Sequence, residues 1–313
     1  MRIFVTGCAG FIGSHLCEYL LAAGHTVHGL DNFDHYYDPR IKEAHVQPLQ
    51  ASPLFKLVRG DIRDGAVVEQ AWDELRPERV IHLAARAGVR PSIADPALYS
   101  DVNVTGTIRI LEAARKTMTP VVFASSSSVY GGSSQVPYVE TDPVDRPVSP
   151  YAATKRGGEL LAATYHHLYG LPVTCLRFFT VYGPRQRPDM AIHKFARAIL
   201  EGEPITLFGD GTTARDYTYI SDILSGIVAA AGLTDGFDIF NLGNSRTIEL
   251  RELVALLERI TEQSAVIRWK PEQPGDMRLT CANIEHARKK LAYHPKTSME
   301  EGLRRTVEWL RCA

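Results

Sequence analysis

Tyr151 and Lys155 stand four residues apart in YAATKRGGELL, one turn of an α-helix, so both side chains leave the same face. A phenol with a reference pKa near ~10 is a poor base at neutral pH. A neighbouring ammonium favours the phenolate, at about 1.4 kcal/mol for each unit of depression. Tyr and Lys at this spacing also form ordinary surface pairs, so position must decide between a dyad and a contact. Upstream, ASSSSVYG closes an apolar run and places Ser126 at the C-terminal end of a predicted strand, the edge at which open α/β sheets bind ligands. A hydroxyl, a phenol and an amine on that edge make a proton relay suited to oxidising an alcohol.

The elements that must position these groups alternate along the first half of the chain. RIFVT, HTVHGL, FKLVRG, RVIHLAA and PVVFASS are short apolar runs rich in β-branched residues, separated by segments of helical period. PVTCLRF supplies a sixth strand after a long helix that begins near Pro150, where proline suits a first turn. The pattern predicts an α/β fold: a doubly wound parallel sheet of the Rossmann kind with a smaller C-terminal substrate-binding domain. The boundary is set at residue 179, giving a nucleotide-binding domain over 1–179 and a substrate domain over 180–313. A segment near 214–245, containing FNLGN, is expected to return to the main sheet. Beyond Thr180, strands are expected near Ile205 and Ile267 and helices near Ala191, Leu250 and Met299.

Directly after the first strand comes TGCAGFIG. Gly7, Gly10 and Gly13 give a tight turn and a bare backbone, and with Phe11 and Ile12 they open a helix whose N-terminus can hold a pyrophosphate. Glycine spacing alone is a weak signal, compatible also with glycines serving only the turn and close packing of helix on strand. Asp31, ~20 residues on, closes the second strand where a carboxylate accepts hydrogen bonds from ribose hydroxyls and repels a 2′-phosphate, which favours NAD over NADP. Asn32 follows it. Asp61 and Ile62 end the third strand near the expected adenine, and Leu83, Ala84 and Ala85 end the fourth beside the cofactor with little bulk. Asn103 is read either as a cofactor contact or as a capping or packing residue. Phe33, Tyr36 and Tyr37 either cover the adenosine or pack on the domain surface.

Composition excludes several classes. Thirty-five Lys and Arg against thirty-six Asp and Glu leave a formal charge of -1, so nothing global points to nucleic acid or an anionic membrane. No run reaches the ~20 apolar residues of a membrane span. The N-terminal segment is broken by glycines and lacks a cleavage site, so no signal peptide is expected. Five cysteines without a CxxC pair are expected as buried thiols of a reducing, cytoplasmic compartment, with no metal site. His166 and His167 lack partners at metal spacing and are read as structural.

Taken in order, TGCAGFIG, Asp31, HLAA, SSSSVYG, YAATK and RFFTVYGP resemble the extended short-chain dehydrogenase/reductase family over nearly the whole chain. Within it the likeness is to nucleotide-sugar 4-epimerases, and LAARAGVRPSI and RFFTVYGPRQRPDM are most similar to UDP-glucuronate 4-epimerases. The resemblance implies that Tyr151 is the catalytic base, that Lys155 holds the nicotinamide ribose, and that Ser126 hydrogen-bonds the reacting 4-hydroxyl. It also implies a retained NAD and a homodimer paired through helices over 96–116 and 150–169. A UDP-uronate carries phosphate and carboxylate charges, so Arg185, Arg187, Lys194, Arg215 and Arg278 become candidate contacts. By resemblance Arg215 and Arg278 meet the diphosphate and ribose, and Thr180 with Arg185 or Arg187 meets the sugar and its carboxylate. Relatives that dehydrate or decarboxylate resemble one another in carrying Glu or Asp-Glu before Val-Tyr-Gly. Here Ser127 and Ser128, also candidate substrate contacts, stand there, and a serine is a poor substitute for a carboxylate as proton donor or base. The expected reaction is therefore C4 epimerisation. A UDP-glucose 4-epimerase, a UDP-glucuronate decarboxylase and a non-catalytic NAD-binding module remain the alternatives.

Overall fold

The computed structural model describes residues 1–133, 135–271 and 277–312. Its elements begin with β1 (Arg2–Thr6), α1 (Phe11–Ala22), β2 (Thr26–Asp31), α2 (Pro39–Val46), β3 (Phe55–Arg59), α3 (Gly65–Leu75) and β4 (Arg79–His82). Next come α4 (Val89–Ala94), α5 (Pro96–Ser100), a π-helical turn over Asp101–Thr105, α6 (Gly106–Thr117), β5 (Val121–Ser126), α7 (Pro150–Tyr169) and β6 (Val173–Phe178). The chain continues through β7 (Thr180–Tyr182), α8 (Ala191–Glu201), β8 (Ile205–Phe208), β9 (Ala214–Tyr219), α9 (Ile220–Ala231) and β10 (Phe237–Leu242). It closes with β11 (Thr247–Glu249), α10 (Leu250–Thr261), β12 (Ile267–Lys270), α11 (Glu285–Leu291) and α12 (Met299–Cys312).

Two compact units result. The first comprises Met1–Gly131, Pro143–Arg177 and Gly226–Phe240; the second comprises Gly132–Asp142, Phe178–Ser225 and Asn241–Ala313. A seven-stranded sheet runs in the order β10-β6-β5-β4-β1-β2-β3. Of the segment expected near 214–245, Phe237–Leu242 enters it as β10, whereas Ala214–Tyr219 joins a separate three-stranded sheet as β9; Val173 N–H donates to Gly236 O and Phe179 N–H to Leu242 O, so β6 and β10 advance in the same direction. β1, β5 and β6 are buried almost end to end, as parallel strands covered on both faces must be. Phe4, Leu30, Val80, Val121, Phe123 and Val173 of the sheet share one core with Trp72 of α3, Ile110 and Leu111 of α6 and Ala162 of α7. Burying each such side chain contributes ~1.5–3 kcal/mol.

The sheet order reverses between β1 and β4, which is where a doubly wound sheet opens a crevice beyond its strand ends. The register aligns Thr6 of β1 with His82 of β4, and His82 with Phe123 of β5. β5 then runs three residues further to Ser126. α7 is started by Ser149, whose side chain accepts from Ala152 N–H, and by Pro150; it stops at Gly170, whose φ of 72° suits glycine. In the second unit, β11-β9-β7 form a three-stranded sheet and β12 pairs with β8. Among the described residues, no helix is long and apolar enough to cross a membrane.

Candidate active site

The glycine turn is built by close approach. Gly7 has φ 75°, its N–H donates to Leu30 O at 2.7 Å, and a Cβ on Gly13 would lie 2.0 Å from Gly7 O. A Cβ on Gly7 would press within 2.8 Å of Ala84 N, so the bare turn sits directly on the end of β4. Gly10 caps α1 without any side-chain bond, so no capping side chain covers the N–H groups of the first turn, at Phe11 and Ile12. Phe11 itself is buried, edge-on to His15.

Asp31 does two jobs at once. Its buried carboxylate accepts from Ala9 N–H at 3.0 Å and Phe33 N–H at 2.9 Å, tying the glycine turn to the end of β2. Burial pushes its pKa up, against the opposing pull of Lys42 and these two N–H groups. A carboxylate has about four acceptor sites, and these two N–H groups take two of them. Asp61 is engaged by the protein: Arg63 binds it through Nε (2.9 Å) and Nη2 (2.8 Å), and Asn32 Nδ2 donates to it at 2.8 Å. Those bonds, Arg63 first, hold its pKa down to about 2. Ile62 packs in the core where α6 crosses at Gly106. Phe33, Tyr36 and Tyr37 lie under Arg59, Arg86 and Lys42 respectively, an aromatic loop packed against cations.

Leu83 and Ala84, half-buried, are pinned to β1: Leu83 N–H donates to Thr6 O and Ala84 N–H to Thr6 Oγ1, both at 3.2 Å. Ala85, beside them, is half-buried as well. Asn103, in the π-helical turn, uses its amide on the protein. Its Oδ1 accepts from Arg86 N–H (2.8 Å), and its Nδ2 donates to Arg86 O and to Thr154 Oγ1 (3.0 Å each). Of the two readings of Asn103, these bonds favour packing.

Lys155 and Ser126 of the expected relay meet the backbone at the end of β5. Lys155 is 4% exposed, and its Nζ donates to Ala124 O at 2.7 Å while lying 5.2 Å from the Phe123 ring centre. Burial lowers its pKa to about 8, with Glu159 opposing. A Cβ at Gly158 would strike the Phe123 ring at 2.3 Å, so glycine there lets α7 lie close enough to β5 for this reach. Tyr151, one turn earlier, is half-buried and set edge-on to Tyr99 at 6.3 Å; Tyr99 is itself tethered by its hydroxyl to Ala87 O. Ser126 Oγ accepts from Ser128 N–H and donates to Ser128 Oγ, both at 3.1 Å, shaping the single 3-10 turn over Ser127–Tyr130.

Sequence reasoning missed Glu159, although it follows Lys155 by four residues on the same helix face. Its buried carboxylate takes Ser125 Oγ (2.6 Å), Arg177 Nε (2.8 Å) and Nη2 (2.9 Å), and Arg156 Nη1 (3.0 Å). Arg177 in turn lies over the Tyr130 ring.

In the second unit, Thr180 opens β7, and Arg185 has a left-handed backbone with φ 62°. Gln186 holds that loop: Nε2 donates to Val181 O (2.9 Å), and Oε1 accepts from His193 N–H (3.1 Å). Arg187 is engaged by Asp189 through two bonds of 2.9 and 2.8 Å. Lys194 is exposed on α8. Arg215 and Arg278 come together through backbone: Arg215 follows Ala214, whose N–H donates to Arg278 O at 2.8 Å. The QPGD residues before Met277 lie outside the described residues.

Cys8, Cys17 and Cys175 are buried, with burial raising the pKa of each thiol. Cys281 is half-buried and Cys312 is exposed, which corrects the expectation that all five are interior. Cys312 ends α12, where the apolar face has run out. His166 is satisfied by Leu171 O and stacks on Phe237. Among the described residues, no group of three or more His, Cys, Asp or Glu could hold a metal ion.

A sheet whose order reverses beside a glycine turn, with Lys155 of the Tyr151 helix bonded to the end of its fifth strand, defines a dinucleotide-binding fold of the extended short-chain dehydrogenase/reductase class. The chain belongs to the GDP-mannose 4,6 dehydratase family, whose profile matches residues 4–306. It is 45% identical to a UDP-glucuronate 4-epimerase of Thermodesulfobacterium geofontis, over 97% of this chain and 94% of that one. Its fold matches a UDP-glucuronic acid 4-epimerase of Bacillus cereus, crystallised with UDP-glucuronic acid and NAD, at a TM-score of 0.94 and 37% identity, over 100% of this chain and 99% of that one. A UDP-glucose 4-epimerase of Thermotoga maritima, with UDP-glucose, matches at 0.92 and 34%, again over 100% and 99%.

Proposed function

We propose that this chain is an NAD-dependent UDP-sugar 4-epimerase that interconverts UDP-glucuronate and UDP-galacturonate. The observation that carries the reading is Lys155 buried against Ala124 O two residues before Ser126, on the helix that bears Tyr151, with serines rather than carboxylates at 127 and 128. The residues fit NAD: the glycine cradle would be filled by any Cβ at position 13, the first turn of α1 is free of side-chain caps, and Asp31 keeps acceptor capacity. Bound NAD supplies a hydride acceptor that becomes a hydride donor, so a C4 alcohol can pass through a ketone and return inverted with no net redox change.

Tyr151 takes the proton of the 4-hydroxyl and later returns it. Lys155, held by Ala124 O, places a positive charge one helical turn from that phenol, and Ser126 steadies the hydroxyl. Neither Ser127 nor Ser128 can serve as a carboxylate would in removing a C5 proton, and Glu159 is engaged by Arg177, Arg156 and Ser125. The second unit is assigned the nucleotide-sugar, with Arg215 and Arg278 at the diphosphate or ribose and Thr180 at the sugar. Arg185 or Arg187 is assigned to the carboxylate, and Asp189 already engages Arg187. A cytoplasmic homodimer completes the proposal; Leu160, Leu168 and Tyr169 on α7 leave apolar surface for a second copy.

Proton NMR of the purified protein with UDP-glucuronate in D2O and no added NAD tests the reading. UDP-galacturonate without deuterium at C5 is expected. A UDP-pentose would mean decarboxylation, and turnover of UDP-glucose alone would move the assignment to a neutral sugar.

A further inference from the structure

We propose that His82 is a positioning residue for this reaction: fixed as the neutral Nε2–H tautomer, it links the end of β4 at the glycine turn to the helix that carries Tyr151 and Lys155. The inference rests on the proposed function for its kinetic consequence, though not for its geometry.

The tautomer follows from the hydrogen bonds alone. Thr107 Oγ1 lies 2.6 Å from Asn103 O, and a carbonyl only accepts, so the Thr107 proton is directed there. The contact of 3.1 Å between His82 Nε2 and Thr107 Oγ1 must then be donated by the imidazole. On the other side, Thr6 Oγ1 lies 2.7 Å from His82 Nδ1 and already accepts from Ala84 N–H. The consistent assignment is that Thr6 donates its proton to a bare Nδ1.

Every link then has one direction. Ala84 N–H donates to Thr6, Thr6 to His82, His82 to Thr107 and Thr107 to Asn103 O. From the same residue, Asn103 Nδ2 donates to Thr154 Oγ1, which donates to Tyr151 O at 2.9 Å. The chain crosses β1, β4, α6 and the π-helical turn and ends in the first turn of α7. π-Helical turns recur where a side chain must be re-aimed at a functional site, and here the turn brings Asn103 to both Arg86 and Thr154.

A second proton on His82 would break the pattern. Nδ1–H would face Thr6 Oγ1, whose own proton would lose its acceptor inside the protein, since His82 is 2% exposed. The Phe123 ring packs at 5.8 Å, and the charged group acting on the imidazole is Lys155, which repels a further cation. Burial and this repulsion push the imidazole pKa down to about 3, in agreement with the bonding pattern.

Two measurements test this. Long-range proton–nitrogen correlation on ¹⁵N-histidine-labelled protein, with His82 assigned by its loss in His82→Gln, should show the Nε2–H tautomer unchanged from about pH 5.5 to 8.5. An Nδ1–H tautomer, or a titration within that range, would overturn the assignment. Thr107→Val removes the acceptor of His82 at nearly constant volume, and His82→Phe removes both bonds. In either variant that folds and retains NAD, kcat should fall roughly ten- to a hundredfold with KM for the nucleotide-sugar within about twofold, the mark of misplacement at the reacting atoms. Unchanged kcat in both variants would reduce His82 to a structural role. A wild-type protein that converts no UDP-sugar would instead defeat the proposed function, and the tautomer measurement would still decide the geometry.

Discussion

The cofactor edge of the first unit and the arginine-bearing loops of the second differ in how their polar groups are held. At the first, Asp31, Asn103, Ser126 and Lys155 are each nearly buried and bonded to backbone of β5 or of the turns beside the strand ends, so their positions follow from the packed scaffold. At the second, Arg215 is half-buried, Lys194 and Arg278 are exposed, and Arg187 meets an exposed aspartate on its own loop. Under the proposed function, the chemistry is preorganised by buried groups, whereas sugar recognition is left to loops that can vary without disturbing a core. Gln186 is the exception, a buried clamp that fixes one recognition loop as firmly as a strand end.

Substitutions should expose this difference. The largest effect is expected from Tyr151→Phe, which removes the proton carrier while keeping the ring beside Tyr99: kcat should fall by about 10²–10⁴ with bound NAD unchanged, measured by NMR turnover and by NAD released on acid denaturation. Gly13→Ala comes next, since its methyl would sit 2.0 Å from Gly7 O; the purified protein should carry little NAD and melt several degrees lower by calorimetry. If it retained cofactor, rigidity of the first unit would be overstated.

Glu159→Gln sharpens the electrostatic side. Glu159 raises the Lys155 pKa against burial, so its neutralisation lets the ammonium deprotonate at lower pH, and the alkaline limb of kcat/KM should move down from about pH 8. An unmoved limb in a folded variant would show that the limb does not report Lys155. The smallest effects belong to the second unit. Removing the arginine that meets the carboxylate, by Arg185→Ala or Arg187→Ala, should raise KM for UDP-glucuronate roughly tenfold and for UDP-glucose far less. The absence of a loss at either position would remove both arginines from the carboxylate.

Local pattern made much of this protein legible. Parallel strands buried on both faces read as apolar runs, glycines mark the only residues able to form the first turn, and a four-residue interval places Tyr151 and Lys155 on one helix face whatever surrounds them. These features depend on neighbours in sequence, whereas β10 is marked only by FNLGN within a broader 214–245 segment, whose β9 joins another sheet. Tertiary structure alone decided which partner each polar group takes. Asn103 bonding across to Arg86 and Thr154, His82 held between hydroxyls from two elements, Glu159 enclosed by Arg177 and Ser125, and Arg187 turned to Asp189 all depend on distances between chain segments or on loop shape. Residue spacing carries no information on such distances; the packing of helices on the sheet sets them.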